Sequence, residues 1–112
     1  MTSRPRLSST ASLWNERMLD CAMTIRSLHV PVIAMVNGWC IGGGNEMALW
    51  CDIVVAAESA VFGQTGAKVG ACPTVGATQY LPRIVGERLA RRECDMTDPL
   101  LGLLACRYLM RL

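Results

Sequence analysis

Three consecutive glycines, Gly42, Gly43 and Gly44, stand between an apolar run at Val32–Val36 and a segment of helical character at Asn45–Trp50. Glycine reaches unusual backbone conformations cheaply and lets a ligand approach the main chain. The first N–H groups of a helix have no partner within it and lie at the positive end of its dipole. Such a turn can bind phosphate or stabilise an oxyanion. Phosphate is the poorer match. The Lys and Ser/Thr of a P-loop do not follow Gly44, and a dinucleotide fingerprint would need glycine at Met47. Glu46 follows instead, just inside an apolar helix. It reads either as a carboxylate favoured by the helix dipole or as a general acid/base.

The other reactive side chains form no second constellation. Cys21, Cys40, Cys51, Cys72, Cys94 and Cys106 include no C-x-x-C pair. Their apolar surroundings suggest buried, reduced thiols and a cytoplasmic protein. His29 is the one histidine and has no cysteine pair nearby, so no metal site is expected. Arg83, Arg88, Arg91 and Arg92 cluster without interleaved aromatic residues, which argues against nucleic acid. Residues 27–45 carry no charge, but Pro31, Asn37-Gly38 and the three glycines divide them into pieces too short to span a bilayer. No apolar run follows Arg4 and Arg6, so no secretory signal is read.

The elements that must position the turn are short. At 112 residues, with 52% hydrophobic, 18% charged and a net charge of +2, the chain is one small domain or part of a larger one. Its low charge content suits either a small apolar domain or one whose surface is covered by other chain segments. Residues 1–11 are expected to be a disordered leader. Ser12 is a candidate N-cap, and Trp14, Met18, Cys21, Ala22, Ile25 and Leu28 recur at helical spacing, predicting a helix over 13–28. Pro31 ends it. Val32–Val36 and Ile53–Ala57 read as strands buried on both faces, giving with the intervening helix a β-α-β unit. A short extended piece is expected near Val61–Gly63, then a glycine-rich loop through Gly66 and Gly70. Residues 74–81 are predicted helical, with Pro82 as the stop, and a last helix covers 87–93. Trp39 and Tyr80 read as packing residues.

The segment PVIAMVNGWCIGGGNEMALWCDIVVAAESAVFGQ, Pro31 to Gln64, resembles the enoyl-CoA hydratase/isomerase (crotonase) superfamily almost position for position. GATQYLPRIVG, Gly76 to Gly86, matches the next landmark of that superfamily, so the resemblance covers about residues 13–93. It implies an α/β fold, a partial crotonase-type ββα spiral core incomplete at both ends: leader 1–11, core 12–93 and a divergent tail 94–112. The family-like pattern stops after Glu93, and the chain is expected to be a truncated fragment.

The resemblance also implies an acyl-CoA-processing enzyme of fatty acid metabolism, a lyase or isomerase, that stabilises a thioester enolate. Gly43 aligns with one of two backbone donors of the oxyanion hole. A lost donor of this kind costs about 2.7–4 kcal/mol in other enzymes. The segment carrying the second donor has no counterpart before Ser12. Glu46 aligns with the first of two catalytic glutamates, while the second position holds Gly66. Ile41, Gly42, Gly44, Thr65, Gly66 and Thr74 fall at substrate-binding positions. FGQTGAKVG, Phe62 to Gly70, is similar instead to the dihydroxynaphthoyl-CoA synthase branch and related ring-cleaving hydrolases. There bicarbonate can replace the missing carboxylate, near the matching Gln64 and Gly66. That branch has aspartate where this chain has Pro73 and lacks a glutamate at position 46. No prosthetic group is implied; a coenzyme A thioester is the substrate, and a homo-trimer or hexamer is the expected assembly.

Overall fold

A computed structural model describes residues 9–95 of the chain. Helix α1 spans Ser9–Ser27 and starts three residues before the expected cap at Ser12. Strands β1 (Ile33–Val36) and β2 (Trp39–Ile41) follow, then helix α2 (Gly43–Trp50), then strands β3 (Ile53–Ala56) and β4 (Val61–Gly63). A 3-10 turn covers Gly66–Val69, and helices α3 (Ala77–Val85) and α4 (Glu87–Asp95) complete the described chain. The remainder of the expected leader and nearly all of the tail 94–112 lie outside these residues. Among the described residues no helix is long and apolar enough to cross a membrane.

The strands form two separate parallel pairs. β1 pairs with β3, Ile33 opposite Ile53 through Val36 opposite Ala56. β2 pairs with β4, Trp39 opposite Val61 through Ile41 opposite Gly63. Each crossover passes through α2, so the β-α-β unit read from the sequence is present. A second, interleaved unit comes with it, because Trp39–Ile41 forms a strand where only a turn was expected. Three residues carry too little periodicity to announce a strand; the tertiary partner Val61–Gly63 makes it one.

The apolar strands are not buried on both faces. Ala34, Val36, Val54 and Ala56 point inward and pack with Cys40, Ala48, Ala60 and Phe62. Ile33, Met35 and Ile53 lie on the opposite face and are exposed, Met35 at 79%. Successive strand residues alternate sides, so only one face of this two-stranded sheet meets the core. No described element covers the other. Trp39, 78% exposed, is likewise not a packing residue here.

Pro82 does not stop α3. The helix runs on to Val85, and the Pro82 carbonyl accepts the N–H of Gly86. Proline leaves the carbonyl of Thr78 without its helical donor. Thr78 is exposed, while Leu81, Val85 and Ala77 are buried against Leu49 and Ala90. Burial on one face thus offsets the bond lost on the other. The cysteines also differ from expectation: Cys40 is buried and Cys51 partly so, whereas Cys21 and Cys72 are exposed.

Candidate active site

The glycine turn is built from main chain alone. Gly42 precedes α2 with φ 58° and ψ −120°, a conformation that strains any residue with a Cβ. Its N–H donates to the Gly63 carbonyl at 2.8 Å, which fastens the turn to the end of β4. Its carbonyl accepts the N–H of Glu46 at 2.9 Å and closes the first helical turn. No side chain caps this end of α2. The N–H groups of Gly43 and Gly44 therefore have no acceptor within the helix and remain available as donors. Gly44 is exposed and faces open space. Gly43 is half-buried beneath α1: a Cβ on it would lie 3.3 Å from Met18 Cε and 3.6 Å from the Trp14 ring. Ile41, half-buried, ends β2 beside the turn.

Glu46 is 4% exposed. Its carboxylate does not cap its own helix. Oε1 accepts hydrogen bonds from the N–H groups of Val75 at 2.9 Å and Ala77 at 3.2 Å. Ala77 opens α3, so the carboxylate sits at the positive end of that helix rather than of α2. Oε2 has no hydrogen-bond partner among the described residues. One oxygen is thus held by the fold, and the other has no partner among the described residues.

The loop after β4 lies against the turn. A Cβ on Gly42 would be 3.8 Å from Thr65 Oγ1. Gln64 is buried, and its Oε1 accepts from Asn45 Nδ2 at 3.2 Å, tying the start of α2 to the end of β4. Gly66 has a steric reason. A Cβ there would stand 2.9 Å from the Ala71 carbonyl oxygen, closer than real Cβ atoms come. The Ala71 N–H in turn donates to the Gly66 carbonyl at 2.8 Å. The Ala71 backbone thus stands where any side chain on residue 66 would begin. Thr74 lies apart on the exposed side, its Oγ1 donating to Asn15 Oδ1 at 3.0 Å.

Ile41, Gly42, Gly43, Gly44, Glu46, Gln64, Thr65 and Gly66 are therefore gathered by α2 and the end of β4. Thr74 reaches the site only through its neighbour Val75. The sequence assigns Trp50 no role beyond the helix; the structure buries it four residues after Glu46, on the same helical face, with its Nε1–H donating to the Val75 carbonyl.

The family model for enoyl-CoA hydratase/isomerase matches residues 2–102. An enoyl-CoA hydratase from Mycobacterium tuberculosis H37Rv is 46% identical over 70% of this chain and 36% of its own length, with a TM-score of 0.65. Pseudomonas aeruginosa DspI is 32% identical over 95% of this chain and 43% of its own, TM-score 0.82. A probable enoyl-CoA hydratase/isomerase from Mycobacterium abscessus is 32% identical over 92% and 40%, TM-score 0.81. The chain thus spans less than half the length of each of these structures.

Proposed function

The chain belongs to the enoyl-CoA hydratase/isomerase family, and on that premise we propose that its glycine turn and Glu46 act on an acyl-CoA thioester. The fold is an incomplete α/β core of the crotonase type. In this reading the Gly43 N–H donates to the thioester oxygen as charge develops there. Glu46 exchanges a proton with the acyl carbon skeleton or with a water beside it. Ile41, Gly42, Gly44, Thr65 and Gly66 line the approach to that oxygen.

One observation carries the proposal: a buried carboxylate, three residues beyond the helix-opening Gly43, held by one oxygen and open at the other. A single positioned acid/base group contributes roughly 100- to 10,000-fold. The test is hydration of crotonyl-CoA by the purified chain and by Glu46→Gln. We expect slow turnover at most, lowered about 100-fold or more by the substitution. Robust turnover indifferent to Glu46→Gln would overturn the role of Glu46.

A second reading is favoured by the extent of the match, 36–43% of the related structures. In it this chain holds one part of a catalytic centre and turns over substrate only together with further sequence. Titration with acetoacetyl-CoA separates the two, since micromolar binding requires an intact pocket.

A further inference from the structure

We propose that Trp50 is the positioning residue that fixes the direction of the Glu46 carboxylate, an inference that rests on the acid/base reading of Glu46. The two side chains stand one helical turn apart on the same face of α2. Both grip the backbone of one buried residue, Val75. Glu46 Oε1 accepts the Val75 N–H, and Trp50 Nε1–H donates to the Val75 carbonyl. The second bond to Oε1 comes from Ala77, on the far side of Gly76.

The geometry leaves the indole no latitude. Gly76 adopts φ +109°, and a Cβ there would lie 3.1 Å from Trp50 Nε1 and 3.2 Å from Tyr80 Cδ2. The ring therefore rests against bare main chain. Tyr80 meets it edge-on, with centroids 5.0 Å apart and planes at 64°. The Arg26 guanidinium lies 5.7 Å from the centre of the Tyr80 ring. From α1 through α3 to α2, a stack of side chains holds the indole in place. The carboxylate of Glu46 is only as well aimed as the two N–H groups that hold Oε1. Two carbonyls lie between those groups: that of Gly76 accepts from the N–H groups of Gln79 and Tyr80 within α3, and that of Val75, outside the helix, is clamped by Trp50. An apolar side chain at position 50 would fill the space without supplying that donor. The direction of Oε2, the oxygen left for substrate, thus depends on the indole N–H.

The test uses the full 112-residue chain, with Trp50 replaced by β-(3-benzothienyl)alanine, which keeps the ring shape and loses the N–H. Backbone amide exchange is followed by NMR. We expect exchange at Val75 and Ala77 to rise at least about tenfold, while the amides bonded between β1 and β3 stay unchanged and report an intact fold. Where turnover is measured, kcat falls about tenfold with KM unchanged, as for a misaimed catalytic group. Unaltered exchange at Val75 and Ala77 would overturn the inference. If the variant loses its fold, the unsubstituted chain decides. The Trp50 indole proton must exchange slowly there, and those of the exposed Trp14 and Trp39 quickly; a fast Trp50 indole proton overturns it. A chain without turnover counts against the proposed function and leaves the exchange result standing. Turnover sensitive to Glu46→Gln, with exchange indifferent to Trp50, counts against this inference alone.

Discussion

Glu46 carries two burdens that separate by substitution. Its carboxylate satisfies two buried N–H groups through one oxygen, and in the proposed function the other oxygen serves the substrate. Glu46→Ala leaves both donors without an acceptor, at about 1–3 kcal/mol for each such group. Chemical denaturation should therefore show a loss of about 2–6 kcal/mol. Glu46→Gln keeps an amide oxygen in place and should cost less than half as much, so its effect on turnover reports chemistry rather than folding. Gly66 is constrained differently. A second glutamate cannot be restored there by substitution alone, because its Cβ would collide with the Ala71 carbonyl. Gly66→Glu is expected to bring no gain in crotonyl-CoA hydration and to cost about 1–3 kcal/mol in thermal unfolding, as overpacked sites do. Cys51 gives a prediction in pH. Burial first, and the neighbouring Asp52 second, push its thiol above the ordinary value. The folded state then holds the proton to higher pH than the unfolded state does. Its contribution to stability is complete below the ordinary thiol range and is lost as pH rises through the raised value. Cys51→Ala should flatten the alkaline decline in melting temperature, and Cys51 should alkylate after the exposed Cys21 and Cys72.

Among the elements, the joint between α1 and the first sheet depends on Asp52. Its Oδ2 accepts the Val32 N–H at 2.9 Å, and Oδ1 lies 3.8 Å from Arg26. The Val32 carbonyl accepts in return from the N–H groups of Asp52 and Ile53. One aspartate thus sets the start of the β1–β3 register and the placement of the arginine that covers Tyr80. The groups are partly solvated, which lowers the worth of the ion pair. Asp52→Ala should cost about 1 kcal/mol, mostly through the lost bond to Val32. Amide exchange should rise first at Val32 and the β1 end of the ladder. Asp52→Asn, which keeps the acceptor, should recover most of the loss. Helix α3 teaches the complementary lesson. Pro82 removes one backbone bond where water can replace it, so a residue that ends many helices is tolerated within this one.

Across the whole molecule, the outer face of the β1–β3 sheet stands out. Ile33, Met35 and Ile53 adjoin there in register, and all three are exposed. Contiguous apolar surface of this kind drives association in water. Sedimentation velocity should show concentration-dependent self-association of the chain. The double substitution Ile33→Thr with Met35→Lys should raise the monomer fraction without loss of the β1–β3 amide protection. An unchanged sedimentation profile would mean that this face is not the sticking surface.

The glycine turn, the helix behind it and Glu46 were legible in the sequence because their chemistry is local. A glycine-rich segment between a strand and a helix exposes N–H groups wherever it occurs. The apolar runs at Val32–Val36 and Ile53–Ala57 announced the parallel β1–β3 pair for the same reason. Other features depend on distant partners, and no periodicity encodes those. Trp39–Ile41 became a strand only beside Val61–Gly63. The sequence reads Glu46 as a carboxylate favoured by the dipole of its own helix or as a general acid/base. Tertiary structure placed its Oε1 at the start of α3, 31 residues away. Position 66 read as a missing carboxylate, and only the crossing of the Ala71 carbonyl showed why no side chain fits. Sequence alone determined which groups could do the chemistry. The fold decided which of their atoms are already held and which have no partner among the described residues, because hydrogen bonds and excluded volume between remote segments exist only once the chain has closed on itself.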